Sequence, residues 1–271
     1  MMVVLTLLRK NLLDSRWLLG LCASSLFGLC WLFVFVAHRI EVALKAATGA
    51  RSMGMLRGLG GSSMDFSTAA IEMAFWNHPF VLLIFSIWAI ARGSISVAGE
   101  IEKGTLDLVM SRPVGRSAFL ASQVLTGVLG LAFMAAAMMA GNLVGSRYNS
   151  LISPASAVDL TRPAVNLVAF GWAIFGYTFV LSTVDLVRWR PNLIASVATL
   201  AGFIALVLAN IPQLDVKWLE KLSIFKAYDP VEVVVKGETL AFNASILGLI
   251  GLVGVGLGFA LFARRDLPAG S

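Results

Sequence analysis

Gly99 and Gly104 stand five residues apart, the glycine spacing of a loop that cradles phosphates. Such a loop needs lysine after its second glycine and a strand ahead of its first. Thr105 occupies the lysine position and no strand signal precedes Gly99, so the chain is expected to bind no ATP itself. Serine proteolysis inside a membrane would need a Ser facing a His, but the only histidines, His38 and His78, fall at the ends of apolar runs. Met53, Met55, Met64 and Met73 offer soft thioether ligands of the kind that hold copper. No Cys or His cluster accompanies them, so flexible apolar filling is the simpler use and no metal site is expected. Cys22 and Cys30 lie about 12 Å apart along a helix, too far for a disulfide, and are read as small apolar filling.

Chemistry-bearing side chains gather instead in "EIEKGTLDLVMSRPVGRS", residues 100–117, where six of eighteen positions are charged: Glu100, Glu102, Lys103, Asp107, Arg112 and Arg116. The surrounding chain is very different. Its 271 residues are 58% hydrophobic and 13% charged, with mean hydropathy +0.86, whereas soluble domains carry about 25% charged residues. A helix that crosses roughly 30 Å of hydrocarbon needs about 20 mostly apolar residues. Six runs meet that requirement: about 17–37, 79–99, 118–145, 163–184, 191–211 and 239–263. The expected fold is therefore an all-α integral membrane protein, a single transmembrane domain over 1–271 with six transmembrane helices. Arg92 is the only charge inside a run. It lies about 10 Å from the end of its span, close enough to snorkel to head groups, pair within the bundle or touch a substrate. The absence of other ionisable residues in the spans argues against a secondary transporter, which marks its ion path with them.

The first run is too long for a typical signal-peptide core, and "FVAHRI" offers no small-x-small cleavage site, so it is read as a retained span. Residues 1–16 set Leu5, Leu8 and Leu12 on one stripe among Arg9, Lys10 and Arg16, the pattern of an N-terminal interfacial helix. With six spans both termini share a face. Eleven of the 21 basic residues fall on that face, in short loops next to span ends, and ten are spread through three long segments opposite. The positive-inside rule then places both termini in the cytoplasm, in an inner (cytoplasmic) membrane. The +6 net charge needs no nucleic acid, since anionic head groups of membrane lipid suffice as partner.

Small residues form stripes suited to close helix packing or a subunit interface: Ala137, Gly141 and Gly145; Ala201, Ala205 and Ala209; Gly254 and Gly258. On the opposite face, Leu214, Trp218, Leu222 and Phe225 recur at helical spacing, which predicts an amphipathic helix. "MDFSTAAIEMAFWNHP" reads as a second one, capped by Asp65 and stopped before Pro79.

The charged segment has its own local logic. Gly104 can end the second span in a left-handed conformation, and the Thr105 hydroxyl can cap a short helix whose first turn holds Asp107. Arg112-Pro113 stops that helix. Leu106, Val109 and Met110 share one side of it and are expected to form an apolar docking knob, against the simpler alternative of a solvated loop.

At these residues the chain resembles exporter-type ATP-binding-cassette permeases of the ABC-2 class, whose loop between the second and third spans reads much like "GEIEKGTLDLVMSRPVGRS". The likeness extends more loosely to six spans over the whole chain and recurs in "AYDPVEVVVKGE", residues 227–238. Within that class, size and layout look most like permeases associated with copper-enzyme maturation, although no residue shows that substrate, and the long Gly-rich "RGLGGSS" (57–63) departs from the pattern. The resemblance implies that Glu100, Glu102, Gly104, Thr105, Leu106, Arg112, Pro113 and Arg116 build a coupling helix that docks onto a separate nucleotide-binding ATPase subunit. ATP and Mg would then sit on that partner, with no cofactor in this chain, and the permease would pair with a second copy. The different-class alternative is a membrane anchor or assembly subunit without transport of its own. Tags at residues 1 and 271 are expected to be cytoplasmic and a tag near Gly60 external; protease access to either terminus from outside intact cells would reverse the orientation.

Overall fold

A computed structural model describes residues 2–59, 75–149, 156–228 and 239–265. Every regular element among them is helical, and six helices are long and apolar enough to cross a membrane. The protein is thus an all-α, multi-pass membrane protein. Its helices are α1 (Met2–Leu59), α2 (Pro79–Ser94), α3 (Thr105–Met110), α4 (Arg116–Asn149), α5 (Ala157–Val184), α6 (Trp189–Ala209) and α7 (Thr239–Arg264). A π turn, Ile95–Gly99, and the short helix Glu100–Glu102 prolong α2 toward the charged segment.

Local chemistry sets most of the starts. Pro79 at the first position of α2 follows His78, whose Nδ1 accepts the Phe80 N–H at 3.3 Å. Helix α5 opens on a capping box, in which Ser156 Oγ accepts the Asp159 N–H (3.2 Å) and Asp159 Oδ2 accepts the Ser156 N–H (3.1 Å). That box starts the helix six residues before the expected boundary at 163 and leaves Pro163 inside it.

Two expectations fail. Residues 2–16 are not a separate interfacial helix: α1 runs unbroken through residues 16 and 17. Its inward face in this stretch is polar. Asn11 and Ser15 are buried, and the Asn11 amide donates to Ser122 Oγ of α4 at 3.3 Å, while Leu5 and Leu13 face outward. Nor is the stretch after α6 one amphipathic α-helix. It forms three short 3₁₀ pieces, Pro212–Leu214, Lys217–Leu222 and Ile224–Ala227, separated at Asp215 (φ 47°) and at extended Ser223. Leu214 and Trp218 are exposed, while Phe225 is buried against the Phe170 and Phe203 rings. The Asp65 cap, Met64, Met73, most of the 57–63 stretch and nearly all of 227–238 lie outside the described residues.

Core packing depends on close approaches. Helix α1 packs chiefly on α4 and α7 on α5. Gly141 lets α4 meet the α1 backbone at Phe27, and Gly145 sits against Val34 and Trp31, as the small-residue stripe predicts. Gly254 has an unpredicted counterpart, since Gly176 of α5 faces both Gly251 and Gly254 backbone to backbone. A Cβ on Gly176 would lie 2.6 Å from Gly251 Cα and 2.7 Å from its carbonyl oxygen. Exposed Trp17 and Trp189 at one end of the bundle, and Tyr148 and Trp218 at the other, fit the aromatic belts of a membrane protein. Cys22 and Cys30 are both buried in the core.

Because two backbones meet at Gly176, neither side can yield. Gly176→Ala is expected to destabilise the bundle by about 1–3 kcal/mol, outweighing the ~1 kcal/mol that alanine gains in a helix. Exposed Gly256, with no atom near its missing Cβ, is the control. A detergent melt should show Gly176→Ala several degrees lower and Gly256→Ala unchanged or higher.

Candidate functional site

The charged segment folds as a short helix hung between α2 and α4. Gly104 adopts φ 67°, ψ 10°, so the left-handed break expected from the sequence is present. Helix α3 follows with Asp107 in its first turn, and the chain turns at Ser111–Gly115 before α4 begins at Arg116.

Thr105, however, does not cap α3. Its hydroxyl reaches back across the turn, donating to Glu100 Oε2 at 2.6 Å and Glu100 O at 3.1 Å. Glu100 is itself buried and accepts Lys10 Nζ of α1 at 3.3 Å. One carboxylate therefore ties the end of the second span to both the hanging helix and the first helix.

Leu106 also departs from expectation. It is only 2% exposed and belongs to this chain's own core, with Val109 and Met110 half-buried beside it. Their shared stripe is the inward face of an amphipathic helix, not a knob offered to a partner. Leu108, two residues on and so on the opposite side, is 69% exposed among exposed Lys103, Asp107, Arg112 and Pro113. The sequence carries this signal: once 106, 109 and 110 form the buried stripe, 108 must face away.

The helix ends beside this segment are satisfied by side chains from other helices. Arg116 Nη1 donates to the carbonyls of Phe262 (3.3 Å), Ala263 (3.2 Å) and Arg265 (2.9 Å), with its guanidinium over the Phe262 ring. These are carbonyls at the end of α7, where a helix leaves its last acceptors unpaired and a cation is favoured. Arg265 Nη1 does the same for α5, donating to Thr183 O (2.5 Å) and Asp185 O (3.0 Å). Burial lowers the pKa of Arg265, and the nearby Asp185 charge opposes that shift. At the start of α6, the Arg188 N–H donates to Glu102 Oε2 at 2.9 Å. Arg116, although exposed, is thus a clamp between helices.

Two buried groups complete the site. Ser182 of α5 uses its whole hydroxyl capacity on the π turn: it accepts the N–H groups of Val97 (3.2 Å) and Ala98 (2.9 Å) and donates to Ser94 O (2.9 Å). Arg92 is buried inside the bundle rather than snorkelled to its surface. Its Nη2 donates to Gln123 Oε1 at 2.7 Å, and its Nε has no hydrogen-bond partner among the described residues. Glu100 and Asp14 are the acidic charges that act on it and Arg188 the basic one. Among the described residues no group of three His, Cys, Asp or Glu side chains is placed to hold a metal ion.

No protein-family model matches the chain, and no curated protein matches it. Fold and composition define its class as an all-helical membrane protein of six candidate spans.

If Arg116 clamps the end of α7, Arg116→Ala should speed amide hydrogen exchange in the last turn of that helix about fivefold, the factor that corresponds to ~1 kcal/mol. Arg112→Ala, whose exposed side chain has no bond among the described residues, should leave the same amides unchanged.

Proposed function

We propose that the chain is the transmembrane permease subunit of an ATP-binding-cassette exporter, coupling ATP hydrolysis by a separate nucleotide-binding subunit to movement of a substrate across the membrane. The observation that carries this reading is α3 itself, a short helix packed on the end of the bundle that exposes Leu108 among charges and is held at both ends. On one side, Glu100 and Thr105 join it to α1 and α2. On the other, Arg116 joins the start of α4 to the end of α7. A partner that displaced α3 would push on four helices through these bonds, which is what coupling a partner's movement to the spans requires.

In this reading Glu102, Gly104 and Pro113 set the geometry of the loop, and Lys103, Asp107 and Arg112 surround the docking leucine. ATP and Mg belong to the partner, and a second permease copy places two coupling helices beneath two ATPase subunits. The termini and the coupling helix lie in the cytoplasm. Loss of apolar burial at a docked leucine is worth about 1.5–3 kcal/mol, tenfold or more in affinity.

Affinity purification of the tagged chain from its native membrane should bring down a P-loop ATPase in stoichiometric amount. Leu108→Asp should reduce that recovery about tenfold without lowering the yield of the permease, whereas Leu106→Asp should lower the yield of the permease itself. Absence of any ATPase from the purified complex, or full ATPase recovery and hydrolysis with Leu108→Asp, would overturn the proposal.

A further inference from the structure

A cavity of about 600 Å³ opens along the flank of the bundle between α1, α2 and α6. That size falls within the range of roughly 300–1,000 Å³ typical of ligand sites. Arg188, Asn192, Ser196, Thr199, Leu200 and Phe203 all line it. Their spacing of three to four residues means that one face of α6 looks into the groove. That face is graded, passing from a cation through an amide and two hydroxyls to aliphatic and aromatic side chains. The facing wall, contributed by Leu83, Ile87 and Ile90 of α2 and Leu18 of α1, is apolar but for Ser86, whose hydroxyl donates to Leu82 O at 2.7 Å.

The polar end offers unpaired donors. The Arg188 guanidinium makes one long bond, from Nε to Ser94 Oγ at 3.5 Å, and its two terminal nitrogens have no partner among the described residues. The nearby carboxylates do not bond the Arg188 guanidinium. Glu100 accepts Lys10 and Thr105, Glu102 accepts the Arg188 main-chain N–H, and Asp185 pairs with Arg190.

Depth fixes the kind of anion. Trp189, next to Arg188, is 59% exposed with the Arg190 guanidinium over its ring, an arrangement suited to the head-group level of a membrane. From 188 to 203 the groove follows α6 for about 22 Å, enough for a head group and the ~15 Å of hydrocarbon in one leaflet.

We infer that this groove binds an acidic glycerophospholipid from the leaflet on the side of the charged segment. Its phosphate would pair with the free nitrogens of Arg188, which match a phosphate two-pronged. Asn192 and Ser196 would bond the head group and ester oxygens, and one acyl chain would run along Leu200 and Phe203. The site does not depend on the exporter reading, since a lipid can occupy it whatever docks on α3.

The test is native mass spectrometry of the purified full-length chain in an uncharged detergent. It compares palmitoyl-oleoyl phosphatidylglycerol with phosphatidylcholine of the same chains, with inorganic phosphate as a competitor. Phosphatidylglycerol should be retained about tenfold more than phosphatidylcholine and should resist millimolar inorganic phosphate, which lacks the chains. Arg188→Gln should erase the preference. Ile87→Trp, which fills the groove at an exposed position, should weaken retention of both lipids; Asn192→Leu, also exposed, gives a second variant that leaves the bundle core untouched and should weaken the preference. Equal retention of the two lipids, displacement by inorganic phosphate, or indifference to all three substitutions would overturn the inference. So would cross-linking of Leu200→Cys to its counterpart in a second copy with no lipid bound, which would show the groove covered by protein.

Discussion

Backbone groups at helix ends must find partners, and in this protein they find them on other helices. A helix leaves about four N–H and four C=O groups unpaired at its termini. Arg116 takes the end of α7, Arg265 takes the end of α5, and Glu102 takes an N–H at the start of α6. Each bond is favoured twice, by hydrogen bonding and by the sign of the helix dipole. The result is a charged end of the bundle in which neighbouring helices are held by one another's termini, and the segment 100–117 supplies several of the side chains that do it.

Within the spans a different force holds. Lipid is as apolar as leucine, so helices associate through close packing and a few polar bonds rather than through the hydrophobic effect. Glycines at 141, 176, 251 and 254 bring backbones together, Trp88 Nε1 reaches Gly127 O at 3.2 Å, and Trp172 Nε1 reaches Gly248 O at 3.2 Å. Helix α6 stands apart from this scheme. Most of its surface is exposed, and it is held largely from outside the spans, where Ser223 donates to Gly202 O at 2.7 Å. The same loose seating leaves the groove beside α2 open.

The π turn joins these two regimes. It shifts the ladder of α2 just before the charged segment, and Ser182 satisfies the N–H groups the shift frees. A rotation of the segment relative to α2 would have to break or carry those three hydroxyl bonds, so movement at α3 and movement of α5 are linked. That linkage gives the coupling reading a physical route into the bundle.

The sequence by itself determined the elements whose cause is local. Six apolar runs of sufficient length, the glycine break at 104, the stop at Pro113 and the stripe at Gly141 and Gly145 were all legible, because hydrophobicity, left-handed backbone and missing side chains act wherever they occur. What only the tertiary structure decided was which face each amphipathic stripe turns to, and which group each polar side chain bonds. Residues 2–16 carry an interfacial pattern, yet Asn11 and Lys10 find partners on α4 and at Glu100, so Asn11 and Ser15 turn inward while Arg9 and Arg16 stay exposed. Leu106 reads as a docking residue until the bundle buries it, and burial of that stripe is what turns Leu108 outward. Thr105 can cap a helix but bonds a closer carboxylate, and the helical period at 214–225 yields to the burial of Phe225 under α5 and α6. In each case periodicity states that a stripe will be buried or a hydroxyl bonded. Which surface does so depends on neighbours distant in sequence, as Arg116 and Arg265, 149 residues apart, illustrate.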